Sequence, residues 1–273
     1  MQTSAIKIFI FAALPCEAKP LINHYRLKKD AAINSFSVYV NNEICLTVTG
    51  IGKSAMAAGV AYTQALFPAI PNPIMLNVGI AGHKNHAIGS TFLIDKITDN
   101  DSERRYYPPL VVTPPCPTHS LQTAAKPYDI YPEDDLCDME ASAFYETATR
   151  FTSGELCQCL KIVSDNESSP AHNIQAKHVS ALIEAQLSTI ESTLTALGKL
   201  AESLSTPELS EYKEILNQYH FTVNEQIQLK KLLSRWRLVK GENRVSIGVD
   251  AAKNGKTVLK LLNQQLDEAE FYL

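Results

Sequence analysis

No segment of the 273-residue chain reaches the roughly 18 consecutive apolar residues that a membrane-spanning helix requires. The apolar N-terminal run, IFIFAAL after Lys7, is short, is preceded by little positive charge, and meets Pro15 where a secretion signal needs a small residue. It reads instead as the buried first strand of a sheet, so a cytoplasmic protein with no membrane partner is expected. Paired cysteine spacing is also missing. Cys16, Cys45, Cys116, Cys137, Cys157 and Cys159 never form CxxC, and the last two are too close for a zinc knuckle, which predicts buried, reduced thiols and no metal. Nor is either charge in excess: 25 Lys and Arg face 29 Asp and Glu, net −4 with a pI near 6.0. Nothing global draws such a chain to nucleic acid.

What is present is an ordinary globular composition, 45% hydrophobic and 20% charged. Apolar runs at Ile6–Ala13, IMLNVGIAG and Cys159–Val163 are nearly continuous, as strands covered on both faces should be. Ser35–Val40 and Glu43–Val48 alternate like a hairpin about Asn41-Asn42. Gly89–Ile97 reads as a further strand. Helical periods follow Glu17, Lys53 and Glu140, and helix is predicted over about 171–204. Between Asp99 and Glu133 periodicity fails among seven prolines, which predicts a long functional loop. Strands alternating with helices predict an α/β fold around a mixed, largely parallel sheet, with 1–204 as the main domain. Pro207 then sets off a mostly helical appendage, 205–273. It should carry an amphipathic helix at about Ser210–Leu238, a short strand at Val245–Val249 and a last helix at about Lys256–Phe271.

In such sheets ligands gather at the carboxyl ends of the strands. Glu17, Glu140 and Asp165 each follow an apolar run, where a carboxylate is costly unless it has work to do. Gly50–Gly52 and Gly79–Gly82 let a ligand approach the main chain. GIGK lacks the spacing of a Walker loop, which argues against a nucleoside triphosphate.

The segments ALPCEAK, TGIGKSAMAAG, LNVGIAG, CDMEASAF and KIVSDN, in this order, resemble the purine nucleoside phosphorylase and methylthioadenosine/adenosylhomocysteine nucleosidase superfamily. The likeness covers about residues 5–200. It implies the nucleoside phosphorylase-like three-layer fold, a purine nucleoside as small-molecule substrate, a homodimer, and no cofactor. It implies that Glu140 accepts hydrogen bonds from the ribose hydroxyls, with Met139 packed on the sugar. Asp165 would give a proton to the base with Ser164 orienting it, and Glu17 would activate water. Ala81 and Gly82 would run along base and sugar, and Leu14 and Ile51 would line the pocket for the 5′ substituent.

The chain also departs from that pattern. Phosphate needs forked cationic donors, and the first strand exit offers only Lys19. That favours water over phosphate, although phosphorolysis stays the competing reaction. Ile80 replaces a frequent serine and Lys161 a frequent arginine, so the water site is expected to be built differently, and a non-catalytic nucleoside- or nucleic-acid-binding protein is the competing class. The shortened 99–133 region resembles the less characterised nucleosidase-like branch, including hopanoid- and futalosine-associated relatives; Asp99, Arg104, Arg105, Tyr106 and Tyr107 are its candidate ligand contacts. In the appendage, basic residues surround Trp236, but the spacing of Leu229, Leu232, Leu233 and Trp236 is that of a buried helix face, so nucleic acid is not the expected partner.

Overall fold

The structure, a computed structural model, describes residues 6–127, 131–204, 210–240 and 254–268. The chain divides into two compact units between Ser205 and Thr206. In the first, one sheet is built from β1 (Ile8–Ala12), β2 (Lys28–Lys29), β3 (Ser37–Val40), β4 (Ile44–Val48), β5 (Ile74–Gly82), β6 (Thr91–Asp99), β7 (Arg105–Tyr106), β8 (Thr118–Thr123), β9 (Leu136–Asp138) and β10 (Cys157–Asp165). The helices are α1 (Pro15–His24), α2 (Lys53–Leu66), α3 (Ala141–Ala148), α4 (Ala176–Ala185) and α5 (Leu187–Leu204).

Strands β4, β1, β5 and β10 run parallel, with Ile10 beside Leu46 and Leu76, and Cys159 beside Asn77. Beyond them the sheet curls back on itself. β10 pairs antiparallel with β6, β6 parallel with β8, β8 parallel with β9, and β9 antiparallel with β5 at Gly82 and Cys137. Five strands therefore close into a ring, and β1, β4, β3 and β2 extend from it as an open sheet.

Alternation along the strands explains the continuous apolar runs. Phe9 and Phe11 of β1 join the core formed with Met56 and Val60 of α2 and Phe144 of α3. Ile10 and Ala12 point the other way, to Leu21 of α1, Ile183 of α4 and Leu194 of α5. β1, β5 and β10 are thus buried on both faces. Cys45, Cys137, Cys157 and Cys159 are buried free thiols; Cys16 and Cys116, predicted buried, are only half-buried.

The 99–133 region is not the structureless loop predicted. It contributes β7 and β8, and β8 lies between β6 and β9. The helix predicted over 171–204 is broken at Gln186, whose carbonyl accepts the first hydrogen bond of α5 from Ile190 N.

The second unit holds α6 (Ser210–Gln218), α7 (Val223–Lys240) and α8 (Gly255–Asp267). The single helix predicted over 210–238 is therefore two. Thr222 and Glu225 form a capping box that starts a new helix: Thr222 N donates to Glu225 Oε2 at 2.8 Å, and Glu225 N reaches back to Thr222 Oγ1 at 3.4 Å. Trp236 packs with Leu229, Leu233, Val258 and Leu262, and its ring is buried. The strand predicted at Val245–Val249 lies outside the described residues.

Candidate active site

Glu17 enters the site because β1 ends against a helix start. Pro15, whose missing N–H costs nothing at a first helical turn, begins α1, and Glu17 turns back over it. Its Oε2 accepts from Leu14 N at 2.8 Å, and its Oε1 accepts from Ile80 N at 2.9 Å on the neighbouring β5. Burial raises the pKa of this carboxyl, partly offset by those two N–H groups and the Lys161 ammonium.

Glu140 precedes α3, where β9 ends. Its Oε1 accepts from Gly52 N at 2.8 Å. Gly52 has φ 96°, in the left-handed region open to glycine, and it stands at the start of α2. The GIG turn thus presents its N–H to a carboxylate of the chain itself. Burial, with the nearby Asp138 charge, pushes Glu140 up to about 7, against the pull of Lys161 and the Gly52 N–H.

Between these acids lies a buried ion pair. Lys161 Nζ sits 2.8 Å from Asp138 Oδ2, and both side chains are 1% exposed. Lys161 occupies a core position of β10, between Cys159 and Val163 on the same face. Asp138 is further held by Thr123 Oγ1 at 2.7 Å and Ala141 N at 2.9 Å. Burial alone would lower the lysine pKa; the carboxylates of Asp138 and Glu140 outweigh it and raise the value.

Asp165 closes the third side. Ser164 Oγ donates to its Oδ1 at 2.5 Å and Tyr131 Oη to its Oδ2 at 2.7 Å. Gly82 lies directly beneath: a Cβ there would fall 2.6 Å from Asp165 Oδ2 and 2.6 Å from Tyr131 Cε1. Burial and the Asp165 carboxylate raise the tyrosine pKa, so its hydroxyl keeps its proton and donates.

The three acids share a cavity of about 450 Å³. Glu17, Glu140, Asp165, Met139, Ser164, Ala81, Gly82, Ile51 and Leu14 all line it. Ile51 is 57% exposed and so stands at the rim. None of the five residues proposed from the 99–133 region does. Asp99 is taken up by Lys53, Ser142 and Ser102; Arg104 and Tyr106 both bond Glu146; Tyr107 is exposed. Tyr131, which sequence reasoning passed over, is, among the described residues, the aromatic that this region brings to the cavity. Asp138 was also missed although it stands inside the CDME motif; an acid preceding a helix start by three residues was the available signal.

The unit over residues 6–204 has the nucleoside phosphorylase-like α/β fold. Among solved structures it is similar to the 5′-methylthioadenosine/S-adenosylhomocysteine nucleosidase of S. pneumoniae, at 17% identity and TM-score 0.56, covering 70% of this chain and 100% of that one. The corresponding nucleosidase of Campylobacter jejuni gives 16% identity and TM-score 0.54 over 69% and 98% of the two chains. Futalosine hydrolase of Helicobacter pylori gives 12% identity and TM-score 0.55 over 70% and 98%. No protein-family model and no curated protein sequence matches the chain. Among the described residues, no helix is long and apolar enough to cross a membrane.

Proposed function

We propose that the 6–204 unit hydrolyses the N-glycosidic bond of a purine nucleoside. The observation that carries this reading is the convergence of Glu17, Glu140 and Asp165 on one cavity whose described lining holds no lysine, arginine or histidine. Lys161 is withdrawn onto Asp138 and is not offered to an anion. Phosphate needs cationic donors, so this lining favours water.

In the proposed reaction, Asp165 protonates the departing base as the glycosidic bond breaks and the sugar becomes oxocarbenium-like. Glu140 holds the ribose hydroxyls, with Met139 against the ring. Glu17 takes a proton from the attacking water; its raised pKa makes it a stronger base than a solvated glutamate. Two carboxyl groups on opposite sides of a sugar divide acid and base work in this way in glycosidases. The rim at Leu14 and Ile51 faces the 5′ position.

The test is incubation with a panel of purine nucleosides, with and without inorganic phosphate. Free ribose released at the same rate in both is expected. Ribose 1-phosphate would replace hydrolysis by phosphorolysis. Binding without base release from any nucleoside would leave a binding protein.

Glu140 gives the site a pH dependence. A carboxylate with a pKa near 7 is mostly ionised at pH 8 and mostly protonated at pH 6, and only the ionised form accepts from both hydroxyls. Nucleoside affinity should therefore weaken by about tenfold from pH 8 to pH 6, measured by calorimetry. Glu140→Gln should bind weakly at both values; a pH slope retained in that variant would place the titrating group elsewhere. Stability should move the other way. A carboxyl raised in the folded state stabilises the fold below its ordinary pKa, and that contribution is lost as pH rises through about 7.

A further inference from the structure

Three imidazoles meet beside the candidate site, outside its cavity. His83 follows β5, His86 lies in the β5–β6 connection, and His119 comes from β8. One ring nitrogen from each lies within 4.8 Å of the others. His83 is buried and the other two are half-buried. Phe92 packs on His86 and His119 with ring centroids 4.7 and 5.1 Å away.

The hydrogen bonds fix the protons. His119 Nδ1 lies 3.0 Å from Ser120 O, a group that only accepts. Nδ1 therefore carries the proton, and Nε2 presents a lone pair. His86 Nε2 faces that lone pair at 3.0 Å, so the proton between the two rings belongs to His86. We propose that a divalent transition metal of the zinc class takes the place of that proton, held by His86 and His119 with His83 as third ligand.

The spacing suits such an ion. Two nitrogens bound tetrahedrally at about 2.0–2.1 Å stand roughly 3.3 Å apart, a few tenths of an ångström from the separation present. Binding asks His86 only to move its proton from Nε2 to Nδ1. The Ser120 carbonyl accepts from Nδ1 and so orients His119 as a ligand. His83 is differently placed: its Nδ1 accepts from Asn85 N and His86 N, both at 3.0 Å. It joins only when that turn opens and frees Nδ1, so His86 and His119 are the primary pair. Asp134 and Asp135 lie close enough to act on His83, and their negative field favours a cation.

The ion would brace the site. His83 N donates to Asp165 O at 3.1 Å, and Asn166 Nδ2 donates to His86 O at 2.9 Å, so the histidine turn is laced to the strand end that carries Asp165. Metal uptake itself does not depend on the glycosidic reading.

The test uses the full chain, freed of metal by chelator and titrated with Zn²⁺ by calorimetry and with Co²⁺ by visible absorption. One equivalent is expected, with cobalt bands of a nitrogen-ligated site and no thiolate charge-transfer band. His86→Ala and His119→Ala should each weaken binding by more than about 10²-fold, beyond the usual cost of losing an outer-shell partner. His83→Ala should cost about tenfold. Should an alanine variant fail to fold, His119→Gln, which keeps bulk but removes the ligand, replaces it. Absence of stoichiometric uptake by the wild-type chain, uptake unchanged in the His86 and His119 variants, or a thiolate band assigning the metal to cysteine would each overturn the proposal.

Discussion

Replacing Asp165 with asparagine should slow base release by about 10²–10⁴-fold, the range of a general acid, while nucleoside binding stays largely intact. The substitution keeps shape and removes the carboxyl through which a proton would reach the base. Both partners of the carboxyl are hydroxyls, Ser164 Oγ at 2.5 Å and Tyr131 Oη at 2.7 Å. A hydroxyl can accept as well as donate, so whichever one meets the new amide N–H can turn to receive it. The side chain should keep its place above Gly82. Single-turnover measurements of base release, set beside calorimetric affinity, separate the two effects. Turnover equal to wild type would remove Asp165 as the acid. Equal losses in turnover and affinity would make it a binding group. The variant also separates the glycosidic reading from the histidine site, because Zn²⁺ uptake should be unchanged in it.

The ends of the strands were legible because burial on both faces leaves long apolar runs, and a carboxylate directly after such a run is conspicuous. Glu17, Glu140 and Asp165 were found that way, and all three line the one cavity. What sequence hid is whatever depends on pairing between distant segments. β8, THSLQT, offers only Leu121 as a large apolar residue, and it sits among prolines, so its period is unreadable. Its neighbours on β6 and β9 make it a strand. The same pairing brings His119 to His86, and no spacing along the chain announces that contact. Tyr131 was missed for a related reason: it lies in irregular chain, and only the closed ring of strands carries it over Gly82 to Asp165. The break between α6 and α7, by contrast, was readable. Thr222 and Glu225 have capping-box spacing, but the surrounding helical period masked it.

Lys161 carries the second large effect. Sequence placed it as a weak substitute for arginine at a water site; the structure makes it the counter-ion of a buried acidic cluster. Lys161→Met should destabilise the fold by about 3–5 kcal/mol, the usual cost of leaving a buried partner charge uncompensated. The packing of a methionine cannot offset this, because the Asp138 carboxyl keeps its two donors, Thr123 Oγ1 and Ala141 N, and stays buried without its counter-ion. The double variant Lys161→Met/Asp138→Asn should recover most of the loss, since replacing both members of a buried pair is often close to neutral. Urea unfolding of the four proteins closes the cycle, and an additive result would dissolve the pair as an energetic unit. The sign of the pH dependence gives an independent check. Lys161 holds down the pKa of both Glu17 and Glu140, so its loss raises both further. Carboxyls raised in the folded state stabilise at low pH and lose that contribution as pH climbs through their folded values. The Lys161→Met penalty should therefore be smaller at pH 5 than at pH 8. The midpoint of the pH-dependent nucleoside affinity should also move above the value of about 7 that Glu140 sets in the wild-type chain. A lysine that only filled space would move neither.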